Sequence, residues 1–161
     1  MRRNDKKITE RAEIDSIIRG AKICRLAFAS EGEPYLVPIS FGYDGRALYF
    51  HTALEGRKLE FIAANPRVCF EFEGNIELVD HPELACKWTF AFESVIGYGA
   101  MAELKEPEVK SLGLNQIMRQ YSGREWPIGA KALEGTRIWR LEIESVSGKR
   151  SWTKPPEGGT S

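Results

Sequence analysis

The sequence predicts an α+β chain that is mainly β, an antiparallel six-stranded barrel with flanking helices. Three observations carry that expectation. Strand-like segments are joined by tight turns, above all Asp44-Gly45, and short turns force antiparallel neighbours. Strand signals outnumber helical ones, which favours a small barrel over a layered parallel sheet. No G-x-G-x-x-G follows a strand, so a dinucleotide-binding doubly wound sheet has no support.

The elements follow in order. Residues 1–8 are charged and read as a loosely ordered start. Ile14, Ile17, Ile18 and Ala21 share one face of a helix near 10–21, with Thr9 as its candidate N-cap. Ile23–Ala29 is a first strand, Glu31–Pro34 a turn, and Tyr35–Tyr43 a second strand. Asp44-Gly45 turns the chain into a third strand at 47–51. A helix over 56–64 carries Leu59, Ile62 and Ala63 on one stripe and closes at Asn65-Pro66. Arg67–Phe72 is a fourth strand, continued through 76–79 and broken at Asp80-His81-Pro82. Trp88–Leu104 is a long strand bent at Gly97 and Gly99. Pro107 opens a helix to residue 121, with Leu114, Ile117, Met118 and Tyr121 inward. Thr136–Val146 is the last strand, with Trp139, Leu141 and Ile143 on one face. One domain therefore spans 1–150. Residues 151–161 end in KPPEGGTS, a Pro/Gly-rich tail expected to be disordered.

Bulk properties exclude several classes. Lys+Arg and Asp+Glu both number 23, so there is no basic excess for nucleic acid or a polybasic membrane anchor. No apolar run approaches the ~20 residues of a membrane span. The start, MRRNDKKITER, lacks the apolar core of a signal peptide. Cys24, Cys69 and Cys86 are odd in number and form no C-x-x-C pair, so reduced thiols in the cytoplasm are expected. No tetrahedral metal set is evident.

The segment HTALEGRKLEFIAANP, His51–Pro66, carries the sharpest functional signal. It places Arg57 and Lys58 in the first turn of a helix, just after Gly56. That end of a helix is already electropositive, so two cations there are unfavourable unless an anion joins them. Free N–H groups, a glycine that admits close approach and two cationic side chains suit a phosphate. The alternative is two solvated side chains. On the second strand, Tyr35, Val37, Ile39, Phe41 and Tyr43 alternate as a core face. Leu36, Pro38, Ser40 and Gly42 line the other, and Pro38 marks an edge or opening where a planar ring could meet free backbone groups. A plain barrel edge is the alternative.

These residues resemble a known family. LVPISFGYDGRALYFHTALEGRKLEFIAANPRVCFEF is similar to the core motif of the pyridoxamine 5′-phosphate oxidase-like, FMN-binding split β-barrel proteins. CKWTFAFESVIGYGAMAEL narrows the resemblance to the nitroimidazole-resistance-like branch. The resemblance covers about residues 8–149. It implies a homodimer with FMN at the subunit interface. By motif position, Arg57 and Lys58 would hold the phosphate, and His51 and Thr52 would line the phosphate and ribityl side. Val37, Pro38, Ile39 and Ser40 would contact the ring, and Ser94 and Val95 would reach the pocket, from the second subunit if not the first. His51 is the one candidate for a chemical role. The implied activity passes electrons from reduced nicotinamide, NAD(P)H, through flavin N5 to a small-molecule acceptor. A non-catalytic flavin carrier or redox sensor is the alternative, as is a split barrel that holds haem or a deazaflavin. Two departures narrow the substrate. The tail replaces the oxidases' basic substrate segment, and FAFE at 90–93 stands where branch relatives carry an arginine and a tyrosine.

Other residues have plainer expectations. Glu71 and Glu73 share a strand face and are expected to be exposed; His81 is a turn residue, and Cys69 and Cys86 are packed. Trp88 and Trp139 belong to the core or a dimer contact, and Trp152 is a further ring-stacking candidate. Lys149-Arg150 is a second phosphate grip or a solvated end.

Overall fold

The computed structural model describes residues 6–151. The chain runs β1 (Lys7–Ile8), α1 (Arg11–Gly20), β2 (Cys24–Ser30), β3 (Glu33–Ile39), β4 (Gly42–Tyr43) and β5 (Ala47–Thr52). It continues through α2 (Arg57–Ala64), β6 (Arg67–Val79), a 3-10 turn (Ala85–Lys87) and β7 (Thr89–Leu104). The last elements are α3 (Pro107–Ser122), α4 (Ala130–Glu134) and β8 (Arg137–Ser151).

All strands join one antiparallel 8-stranded sheet in the order β3-β2-β6-β7-β8-β5-β4, with β1 added to β8. The two ends of that order, β3 and β4, are consecutive in sequence, and only Ser40 and Phe41 separate them. The sheet therefore curls until its ends meet through the chain, yet no ladder joins them. That is a split barrel. Its interior is packed by Phe41, Phe50, Phe70, Phe72, Leu26, Leu48, Val95 and Leu141, with Ile14, Ile17 and Ile18 of α1 in the same cluster. Fully burying one such side chain contributes ~1.5–3 kcal/mol.

Several expectations change. Eight strands replace six because the chain start and the β3/β4 break each add a short one. Lys7–Ile8 is ordered by pairing with Lys149 and Gly148, so the start of the described chain is a strand despite its charge. Thr9 does not cap α1: Glu10 holds the N-cap position, with no side-chain cap bond. The turn after β2 is Glu31-Gly32, both at positive φ, and Pro34 already lies in β3. The expected 35–43 strand breaks at Ser40. Its first part pairs with β2 and only Gly42–Tyr43 pairs with β5. In α3, Ile117 and Gly113 are the buried positions and Tyr121 is largely exposed. β8 runs past Val146 to Ser151. β6 does continue through 76–79, across a register shift between Gly74 and Glu77. The β7–β8 register shifts between Tyr98 and Gly99, where the bend was expected. Trp152 and the rest of the tail lie outside the described residues.

Candidate functional site

The candidate residues lie along β3 and the break after it, at the end of β5 and in the first turn of α2, which packs against Tyr35 of β3. Gly42 pairs with Tyr49, and Tyr43 with Leu48. Continuing that register by two residues would set Ser40 opposite His51, but the ladder stops at Gly42 and the chain turns away into β3. β3 ends the sheet, so one of its edges is free, and Pro38 on it has no N–H to offer a partner strand. On β3, Val37 is half-buried, Pro38 exposed and Ile39 buried, while Ser40 beyond it is half-buried.

After β5 the chain turns through Gly56 into α2. Gly56 adopts φ +132°, a conformation side chains rarely take, and nothing lies within 4 Å of where its Cβ would be. It caps α2 without a side-chain bond; the Leu59 N–H donates to the Gly56 carbonyl at 2.9 Å, and the Arg57 and Lys58 N–H groups that precede it have no partner inside the helix. Arg57 and Lys58 then diverge. The Arg57 guanidinium lies 5.1 Å from the Tyr35 ring centroid and 5.5 Å from that of Phe61. Phe61 packs against Tyr35 at 5.1 Å, which holds α2 to β3. Lys58 instead lies towards His51. Burial pushes the Lys58 ammonium below its usual proton affinity. Burial, and then the Lys58 charge, hold the His51 imidazole below its usual range. Among the described residues, no carboxylate compensates Lys58.

Thr52 points the other way from His51, as strand alternation requires. Its hydroxyl accepts from Trp139 Nε1 at 3.1 Å and donates to the Ala53 carbonyl at 3.0 Å. Both functions of that hydroxyl are thus used inside the protein. Val95 is fully buried in the barrel, and Ser94 is half-buried opposite Glu73 and Lys149. β7 is separated from β3 by β2 and β6, roughly 14 Å at ~4.8 Å per strand. Within one chain, His51 and Lys58 are neighbours and Arg57 lies against Tyr35 near the start of β3, whereas Ser40 follows the other end of that strand and Ser94 and Val95 stand on β7.

The remaining candidates have structural roles. Glu71 and Glu73 are half-buried rather than exposed. Arg25 bonds both, at 3.0 and 2.6 Å, so they are held in an ion-pair cluster in which one guanidinium offsets one of the two carboxylates. Arg150 bonds Glu93 at 2.6 Å and Glu13 at 2.7 Å, so it is neither a phosphate grip nor a solvated end. His81 Nδ1 accepts from the Glu83 and Leu84 N–H groups, as a turn residue should. Cys86 is exposed rather than packed, and Cys69 is half-buried. Trp139 is core; Trp88 is half exposed, and its Nε1 donates to the His81 carbonyl. Among the described residues, no group of side chains could hold a metal, and no helix is long and apolar enough to cross a membrane.

Sequence reasoning missed Tyr121. Its hydroxyl accepts from the Phe41 N–H at 3.1 Å and donates to the Lys22 carbonyl at 2.8 Å, at the break itself. Its helical spacing with Leu114 and Ile117 signals packing and hides that bond.

Comparison with known proteins agrees with this architecture. A candidate 5-nitroimidazole antibiotic resistance protein from Bacteroides thetaiotaomicron is 30% identical, with TM-score 0.80 over 89% of this chain and 86% of that one. An FAD- and haem-binding protein from Mycobacterium smegmatis superposes with TM-score 0.82 over 95% of this chain and 77% of that one. At 19% identity, that second likeness is one of fold. A curated protein of Rhizobium meliloti without assigned function is 28% identical over 65 residues, 40% of this chain. The match spans 42% of that relative, less than half its length. The family model described as pyridoxamine 5′-phosphate oxidase matches residues 10–150, nearly the whole barrel, and the chain belongs to that family.

Proposed function

We propose that the protein is an FMN-binding oxidoreductase that works as a homodimer with a cofactor between the subunits. The observation that carries this reading is the start of α2. An open glycine cradle, the Arg57 and Lys58 backbone N–H groups and a desolvated Lys58 without a counter-charge among the described residues meet there. These residues fit a phosphate monoester. Lys58 and the α2 amides would hold it, His51 would border it, and Arg57 would reach it by leaving the Tyr35 and Phe61 rings. The free edge of β3 from Val37 to Ser40 would meet the isoalloxazine ring through backbone groups. Ser94, roughly 14 Å away in the same chain, would approach the cofactor from the second subunit, whereas Val95, fully buried in the barrel, would only pack beneath that strand. The Thr52 hydroxyl, occupied by Trp139 and Ala53, would support the strand rather than touch the ribityl chain.

Bound FMN would supply hydride acceptance from reduced nicotinamide at N5 and electron donation to a small acceptor such as a nitro-aromatic or quinone. The chain's own part is to bind, orient and exclude water. No protein nucleophile is needed. Three free cysteines fit the reducing cytoplasm.

The test is the absorbance spectrum of the protein as isolated, followed by FMN titration. Wild type should show oxidised-flavin bands and bind FMN. The paired Arg57→Ala/Lys58→Ala variant should keep its fold and bind FMN far more weakly, since each charge-assisted contact contributes ~1.5–3 kcal/mol. Unchanged affinity would place the phosphate elsewhere. A Soret band in place of flavin bands would replace the cofactor assignment with haem. NAD(P)H consumption with an acceptor panel separates an enzyme from a flavin carrier.

A further inference from the structure

Ser40 and Phe41 lie between β3 and β4 and belong to neither ladder, so their shared peptide is not oriented by sheet pairing. Something else must fix it. The Phe41 N–H donates to the Tyr121 hydroxyl at 3.1 Å. That hydroxyl is itself fixed, because it donates to the Lys22 carbonyl at 2.8 Å. The Phe41 and Tyr121 rings meet nearly edge-on at 6.2 Å. Phe41 is fully buried in the barrel, which anchors the other side of the peptide. The peptide is trans, as are all peptide bonds among the described residues. In a trans peptide the N–H and C=O point in opposite directions. With the Phe41 N–H turned to α3, the Ser40 carbonyl must face away from α3.

We infer that Tyr121 is a positioning residue: by locking the Ser40–Phe41 peptide it presents the Ser40 carbonyl as a fixed acceptor for the imide N–H of the flavin ring. This rests on the FMN reading above. Tyr121 touches neither cofactor nor substrate. It acts through a peptide plane that no ladder holds.

A ligand–protein double cycle tests it. FMN and N3-methyl-FMN, which lacks the imide N–H, are titrated into wild type and Tyr121→Phe by flavin fluorescence. Wild type should prefer FMN, and the preference should fall about three- to tenfold in Tyr121→Phe, the weight of one hydrogen bond. Tyr121→Gln, which keeps a donor and an acceptor, should restore part of it. A purely structural tyrosine would lower the melting temperature and weaken both ligands alike. Equal preference in wild type and Tyr121→Phe therefore overturns the inference. If wild type binds no FMN, the functional reading itself falls and takes this one with it. If FMN binds, depends on Arg57 and Lys58, and shows equal preference, only the role of Tyr121 falls. Should Tyr121→Phe fail to fold, 4-aminophenylalanine at 121 keeps the shape and a donor for the Lys22 carbonyl while replacing the hydroxyl by a poor acceptor, and is read by the same preference.

Discussion

His51 and Lys58 report on each other. The imidazole is held below its usual range by burial and then by the Lys58 charge. A histidine depressed in the folded state favours folding while neutral. That contribution is present above its free value and is lost as pH falls through the folded one. Lys58→Met should therefore raise the His51 midpoint, followed by imidazole NMR. An anion in the cradle should raise it in wild type as well, so adding inorganic phosphate or FMN should move the same resonance upward. No movement on adding either would mean that the anion binds away from His51. Thr52 gives a contrasting case. Thr52→Val leaves the buried Trp139 Nε1 donor unpaired and should cost ~1–3 kcal/mol, seen as a lower melting temperature, whereas Thr52→Ser should recover most of it.

The short β4 owes its place to the close approach of α3. A Cβ on Gly42 would stand 2.4 Å from the Gln116 backbone carbon and 2.5 Å from the Ile117 nitrogen. Neither backbone atom can yield as a side-chain tip would. Gly42→Ala should push β4 off α3 and cost ~1–3 kcal/mol, as overpacking does, and lower the melting temperature by several degrees. A variant that melts like wild type would mean that α3 is looser than its packing shows. This contact also explains what the sequence made legible. α1, α2 and α3 were readable because their apolar residues recur at helical spacing, and the long strands because they alternate. The break at Ser40 was not, because Tyr35, Val37, Ile39, Phe41 and Tyr43 alternate straight through it. What separates β3 from β4 is their pairing with different strands, which no local pattern encodes. β1 was missed for the same reason: Lys7–Ile8 is a strand only because β8 lies beside it. At the site, the glycine and the two cations of α2 were visible in one segment. The divergence of Arg57 towards Tyr35 depends on how α2 packs against β3 and could not be read from either alone.

The sheet's outer face sets the scale of the whole molecule. Register aligns Leu36, Ala27, Cys69 and Tyr98 in one row across β3, β2, β6 and β7. It aligns Pro38, Arg25, Glu71 and Ile96 in the next. Leu36 is 60% exposed, Ile96 44% and Tyr98 43%, large apolar side chains on a broad sheet face. The Arg25–Glu71–Glu73 ion cluster lies among them, so the face is apolar around an ion-paired polar centre. Such a patch marks an interaction surface. Under the functional reading its partner is a second copy, which would also bring a second Ser94 to the cofactor. Ile96→Glu sets a carboxylate into the middle of that face without touching the barrel interior. Light scattering should find wild type at twice the chain mass and Ile96→Glu at the chain mass. Circular dichroism should be unchanged, and FMN affinity should fall at least about tenfold although Arg57 and Lys58 are intact. A wild-type monomer that holds FMN as tightly as the proposed dimer would show that the α2 corner is a complete site within one chain.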